Sequence, residues 1–297
     1  MNSSPSTPTL SIGVPVYNGE RFLARALDAL LAQESIAFEV LILDNASTDR
    51  TGEIAAEYAA RDPRVRVSRS PVNRGVEANF AAALAAATAP YFMWAACDDW
   101  WAPGFAARMV AALEQRADAV VAMSAVERVD ETGQIVDLVR HRGAADPARM
   151  TPWQLAMALA GGRPYHLFIY GVYRTDFLRR AFTGFAPVVA ADRLFMCRAA
   201  MAGGFAYVDE VLHRRTVRRV PIAERYADES IGRLWRGAWP RWRLALHAGP
   251  YLWRSPVMPA ARRRWIPAIV LRFAKASLGH TLAQIGWSRG VPSSRAC

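Results

Sequence analysis

The chain has 297 residues, 53% hydrophobic and 21% charged; that is enough for one large α/β domain with an appendage, and it excludes a disordered or low-complexity protein. The formal net charge of +11 is unevenly placed: residues 1–210 carry 20 basic and 23 acidic side chains, residues 211–297 carry 17 and 3. Cys97, Cys197 and Cys297 are too scattered for a disulfide framework or a CxxC zinc site, and the N-terminus lacks the pattern of a secretory leader, so a cytoplasmic chain is expected.

Leu10–Val16 is an apolar run suited to a buried parallel strand, and Asn18-Gly19 turns the chain after it. Phe22, Leu23, Ala26, Leu27, Leu30 and Leu31 then recur at helical spacing. Residues 38–43 read as a second strand, 44–49 as a polar loop rich in capping side chains, and 51–60 as a second helix. Residues 65–67 form a third strand. Asn73-Arg-Gly75 breaks the chain before an alanine-rich helix over 76–87, and 91–96 is a fourth strand. The uncharged stretch 80–97 is divided by Pro90 and ends at Asp98. That suits a soluble helix and a buried strand better than a membrane span of roughly 20 apolar residues.

This alternation predicts a mainly parallel sheet with helices on both faces, whose ligands bind beyond the C-terminal strand ends. The loops 15–20, 44–49 and 97–101 are then neighbours. Further on, residues 103–115 read as a helix, and 119–126 and 134–139 as a hairpin turning at Glu131-Thr-Gly133. A helix follows over 153–160, opened by Thr151-Pro152, then a strand over 167–173. Residues 193–201 form a helix with Ala191-Asp192 at its N-terminal end, and 205–208 and 211–217 are two short strands. The charge shift and Pro221 divide the chain at 1–218 and 219–297.

There is no G-x-G-x-x-G after a strand, and Lys275, the sole lysine, is not in a P-loop. G-x-S-x-G and H-E-x-x-H are also missing. Acidic loops at strand ends remain. A diphosphate without a glycine cradle or lysine needs another counter-charge, and the adjacent carboxylates Asp98 and Asp99 suit Mg2+ or Mn2+ bridged to phosphate oxygens. The competing reading is a helix cap; a strand end facing a second acidic loop favours the metal. Asp44 is a candidate acceptor for a base or ribose, or an Asx-turn residue.

Four segments follow in a telling order: Val14-Pro-Val-Tyr-Asn-Gly-Glu20, Asp44-Asn-Ala-Ser-Thr-Asp-Arg-Thr51, Asn73-Arg-Gly75, and Ala96-Cys-Asp-Asp99 with Trp-Trp-Ala-Pro-Gly104 behind it. Together they resemble the family 2 glycosyltransferases, inverting enzymes of the GT-A fold, across residues 8–218. The resemblance implies a Rossmann-like α/β domain and a hexosyltransferase-type activity on a nucleoside-diphosphate sugar, with a glycan or lipid-linked acceptor. It implies that Pro15, Tyr17 and Glu20 line the nucleotide pocket, with Asn45, Asn73 and Gly75 beside them, and that Asp44 meets the base. Asp98 would bind metal and ribose–diphosphate with Asp99 in support, and Asp192 would be the acceptor's base. Ala96, Ala191 and Ala78 depart from the pattern. The segment Leu212-His-Arg-Arg-Thr-Val-Arg-Arg219 lacks a His at the usual place, leaving Arg215 or Arg218 to steady the diphosphate. Ala96 and Ala191 support the alternative of a non-catalytic nucleotide-sugar or glycan binder of the same fold.

The tail holds Trp235, Trp239, Trp242, Trp253, Trp265 and Trp287 interleaved with arginines. Three readings are open: peripheral contact with an anionic membrane surface on the cytoplasmic side, a helical extension with a Trp core, or a nucleic-acid patch. The tryptophan content favours the first two, and nucleic acid is not expected as a partner.

Overall fold

A computed structural model of the chain describes residues 7–186, 188, 190–217 and 240–284. Its first half follows the expected alternation: β1 (Leu10–Val16), α1 (Leu23–Leu31), β2 (Phe38–Asp44), α2 (Thr51–Arg61), β3 (Val65–Arg69), α3 (Gly75–Ala86) and β4 (Tyr91–Trp94). β1 and β2 are buried along nearly their whole length, which is why their apolar runs are continuous rather than alternating. β1 pairs in parallel with β2 on one side and β4 on the other, and β2 with β3, so the C-terminal ends of these four strands share one edge. Strand order reverses at β1, with later β4 lying opposite β2, and this switch point is where open α/β sheets bind their ligands. Buried Asn79 on α3 fastens this edge by donating its amide to Val16 O and Leu43 O.

The second half comprises β5 (Trp100–Trp101), α4 (Phe105–Glu114), β6 (Ala119–Val129), β7 (Ile135–Val139), α5 (Pro152–Ala160), β8 (Val172–Arg174), α6 (Thr175–Ala181), α7 (Ala191–Ala202) and β9 (Gly204–Thr216). The strands form one mixed sheet in the order β3-β2-β1-β4-β8-β6-β9-β5, with β7 also on β6. β8 is antiparallel to β4 and β6, while β6 and β9 are parallel. α5 starts with a capping box: Thr151 accepts from Gln154 N–H, and the Gln154 side chain accepts from Thr151 N–H.

Several expectations need correction. The strand expected over 167–173 is a 3-10 turn, Pro164–Tyr170, with only Val172–Arg174 in the sheet. Its apolar side chains are buried in either form, so their pattern did not discriminate. The two strands expected over 205–217 are one, with the register slipping between Val208 and Val211 where polar Asp209 and Glu210 intervene. β5 and α6 were not anticipated.

The tail contributes α8 (Pro240–Trp253), a 3-10 turn (Ala260–Trp265) and α9 (Ile266–Gln284). Leu244, Ala248, Leu252, Ile269 and Phe273 join the same hydrophobic core as the sheet. Trp265 packs against Trp153 of α5, ring centroids 5.5 Å apart. The expected division at 218/219, Arg218, Pro221, Trp235, Trp239 and Trp287 lie outside the described residues. Among those described, no helix is long and apolar enough to cross a membrane.

Candidate active site

The loops after β1, β2 and β4 meet as the alternation required. Thr51 Oγ1 accepts from Gly19 N–H, Ser47 Oγ accepts from Asn18 N–H, and Glu20 and Asp49 exchange bonds with the backbone of Arg50 and Glu20. A Cβ on Gly19 would stand 3.3 Å from Cys97 Sγ, and Arg25 donates to Asp98 O at 3.3 Å, so the β1 loop also touches the β4 loop. Asp44 and Asp98 therefore belong to one rim.

On the β2 side the polar groups are heavily committed. The Asp44 side chain is fully enclosed: Oδ1 accepts from Ser47 N–H at 2.9 Å, and Arg69 Nη1 stands 3.1 Å from Oδ2 as an ion pair without hydrogen-bond alignment. Arg69 also donates to Ser47 O. Asn45 donates to Asn73 Oδ1 and accepts from Arg74 N–H, holding the loop that enters α3. Gly75 takes φ +83° there, a left-handed conformation that a side chain would strain. Pro15 is half-buried at the end of β1, while Tyr17, Glu20 and Asn73 are exposed.

At β4 the two aspartates separate. Asp99 is buried and turned inward: Oδ2 meets His213 Nε2 at 3.0 Å and Oδ1 accepts from Thr216 N–H at 2.9 Å. His213 in turn stacks on buried Trp101, planes 11° apart. Both oxygens of Asp99 are thus spent on holding β9. Asp98 is half-buried, and its carbonyl accepts from Thr216 Oγ1 at 2.5 Å. Asp192 sits in the first turn of α7, half-buried, with Oδ1 accepting from Arg193 N–H at 2.8 Å.

Arg215 links these groups. Its guanidinium lies over the Tyr170 ring at 5.3 Å. Burial opposes its charge, but Tyr170, Asp99, Asp192 and Asp98 outweigh that and raise its pKa. Burial pushes the Tyr170 hydroxyl up; Arg215 pulls against this, and Asp99, Asp98 and Asp192 add to it. Asp98, Asp192 and Arg215, taken from three distant stretches of sequence, are electrostatic neighbours.

Among the described residues no three His, Cys, Asp or Glu side chains gather as a metal cage. Ala96 offers no donor, and Asp99 is occupied. Of the adjacent pair, Asp98 is the half-buried one, not turned in against β9. This fits a Mg2+ or Mn2+ ion shared with substrate phosphates, since such ions are commonly held by one or two carboxylates with phosphate and water completing the shell.

Residues 11–172 match the family described as Glycosyl transferase family 2. The chain belongs to this family. Within the family, it is 34% identical to the glycosyltransferase EpsJ of Bacillus subtilis over 108 residues, covering 36% of this chain and 31% of EpsJ. It is 29% identical to the succinoglycan biosynthesis protein ExoO of Rhizobium meliloti over 209 residues, covering 68% of this chain and 58% of ExoO. The chain thus spans roughly a third to somewhat over half of these relatives. Residues 1–349 of S. aureus TarS have the same fold, with TM-score 0.66 at 17% identity over 96% of this chain and 76% of that one. The mannosyltransferase PcManGT of Pyrobaculum calidifontis, in complex with GDP-Man and Mn2+, gives TM-score 0.54 at 19% identity over 98% and 79%.

In this family 2 chain, His213 and Tyr170 escaped the sequence reading. His213 and Arg215 lie two apart on β9, and strand alternation puts them on one face. Period-two reading of the basic segment would have set His213 beside Arg215. Tyr170 and His166 sit on the 3-10 turn that was taken for a strand. Burial pushes the His166 imidazole down to about 4; Asp192 acts against this, while Arg193, Arg215 and Arg128 add to it. His166, read from sequence as structural, is therefore a neutral ring beside Asp192 at neutral pH.

Proposed function

We propose that this chain transfers a hexosyl group from a nucleoside-diphosphate donor to a hydroxyl of a glycan or lipid-linked glycan, with inversion. The observation that carries the reading is that the loops bearing Asp44 and Asp98 share one rim at the strand ends, with Asp98 and Asp192 both acting on the charge of Arg215. The fold shared with TarS, whose same segment has also been solved in complex with UDP-GlcNAc, and with PcManGT bound to GDP-Man and Mn2+ supports the donor class.

Pro15, Tyr17, Glu20, Asn45, Asn73 and Gly75 shape the nucleotide side of the rim. Asp44 meets the base once Arg69 gives way or carries the contact for it. Asp98 would hold Mg2+ or Mn2+ with the donor phosphates, where such an ion would supply positive charge against the diphosphate. Asp192 has one oxygen fixed by Arg193 N–H, which leaves the other to take the acceptor's proton. The acceptor O–H bond breaks, the oxygen bonds to the anomeric carbon, and the carbon–phosphate-oxygen bond breaks with its electron pair leaving on the diphosphate. Arg215 stabilises that charge from a site already desolvated, so little reorganisation is needed.

The test is a panel of nucleotide sugars with Mg2+ or Mn2+, reading thermal stabilisation and nucleoside-diphosphate release. Asp192→Asn should lower release by about 10²-fold or more, as for loss of a general base, and keep the donor-induced stabilisation. Turnover equal to wild type would remove Asp192 from the mechanism. Stabilisation by a donor with no release, even with acceptor present, would favour the non-catalytic binder suggested by Ala96 and Ala191.

A further inference from the structure

The C-terminal helices carry exposed apolar side chains in two stripes. On α8, Leu246 (72% exposed) and Trp253 (57%) lie seven residues apart with exposed Pro250 between them. On α9, Leu271 (56%) and Leu278 (44%) are again seven apart, with exposed Ala268 one turn before Leu271 and exposed Lys275 between the leucines. Spacings of three, four and seven keep each set on one side of its helix. The opposite sides are spent on the core, through Leu244, Ala248 and Leu252 on α8 and Ile269 and Phe273 on α9.

The charge around these stripes has one sign. Residues 240–284 include eight basic side chains and not one Asp or Glu. Arg254, Arg264 and Lys275 are exposed, and the Arg263 guanidinium lies 5.5 Å from the Trp253 ring, joining the end of α8 to the approach to α9. Neither helix is long and apolar enough to cross a bilayer. Apolar stripes edged by cations, with a tryptophan among them, suit a helix lying at the headgroup level of an anionic bilayer. Nucleic acid would account for the cations but gives no role to three exposed leucines.

We propose that α8 and α9 form a docking surface for an anionic lipid bilayer, with Leu246, Trp253, Leu271 and Leu278 entering the headgroup boundary and Arg254, Arg264 and Lys275 facing lipid phosphates. This goes beyond the transferase reading and stands without it. Where both hold, the surface brings the rim to a lipid-linked acceptor.

The test is co-sedimentation of the full chain with vesicles of phosphatidylcholine alone or mixed with phosphatidylglycerol, at low and high salt. Binding should require phosphatidylglycerol and fall with salt, each exposed cation contributing roughly fivefold. The double variant Leu246→Ser, Leu271→Ser should bind at least about tenfold more weakly, with unchanged melting temperature and unchanged nucleoside-diphosphate release from a soluble donor. Arg254→Glu with Lys275→Glu should weaken binding further still. No binding to phosphatidylglycerol vesicles at low salt would overturn the proposal. So would full binding by the serine variant, or a stronger preference for single-stranded RNA over the vesicles. Vesicle binding in a wild-type chain that releases no nucleoside diphosphate would refute the transferase reading and uphold this one.

Discussion

Asp98 and Asp99 are adjacent in sequence but differ in burial and in the roles proposed for them, and substitution separates them. Asp99→Ala deletes the acceptor for two buried donors, His213 Nε2 and Thr216 N–H. His213 Nδ1 already has no protein partner, so its whole ring would lose polar contact. Each orphaned buried group costs about 1–3 kcal/mol, giving roughly 2–6 kcal/mol together. At about 2–4 °C per kcal/mol for a large domain, the melting temperature should fall by about 4–24 °C. Asp99→Asn should lose much less, because its amide keeps an oxygen to accept from Thr216 N–H and an NH2 group to face His213 Nε2. Asp98→Asn alters a half-buried side chain and keeps the carbonyl's bonds to Thr216 and Arg25, so it should lower the melting temperature less than Asp99→Ala, yet abolish metal-dependent donor stabilisation. Scanning calorimetry with and without donor and Mn2+ measures both effects. An Asp99→Ala chain that melts with wild type, or an Asp98→Asn chain that unfolds like Asp99→Ala, would refute this division of labour.

Two further outcomes concern stability. Arg198, buried on α7, donates to Ala181 O, Thr183 Oγ1 and Tyr251 O and lies 3.6 Å from the centroid of the Tyr251 ring; Arg198→Ala should cost about 3 kcal/mol and speed amide exchange first in α8. Burial, helped by Arg163 and opposed by Asp146, pushes His141 from the ordinary 6.5 to about 4. The unfolded chain therefore binds that proton first, and the stabilisation present above 6.5 is lost as pH falls toward 4. His141→Phe, which keeps a ring against Tyr165, should flatten the acid side of the melting-temperature profile; an unchanged slope would show that His141 is not buried in its neutral form.

The parallel half of the sheet was legible because its signals agree. Leu10–Val16 and Phe38–Asp44 are buried on both faces, so the runs are apolar throughout, and Asn18-Gly19 and Asp44-Asn45 stop them abruptly. Asp44 and Asp98 were placed on one rim by topology alone. What failed depended on partners distant in sequence. Trp100–Trp101 is a strand only because β9 pairs with it, and two residues carry no period. Residues 164–170 bury Tyr165, Leu167, Phe168 and Ile169 without repeating as either helix or strand. His213 lies in a basic run that looks solvated, yet Trp101 and Asp99 close over it. Arg198 likewise reads as the wet side of a helix, until Tyr251 supplies its carbonyl and its ring. The inward turn of Asp99 follows from those same pairings.

The moorings of α7 set a lower limit on any minimal enzyme. This helix begins at the proposed proton acceptor, and its far half is tied by Arg198 to Tyr251 and by the Met201 carbonyl to Arg262. A fragment trimmed where the charge changes sign would keep every acidic residue of the rim and still cast α7 adrift. The basic tail is therefore also a brace, and catalysis and lipid docking would share the same beam.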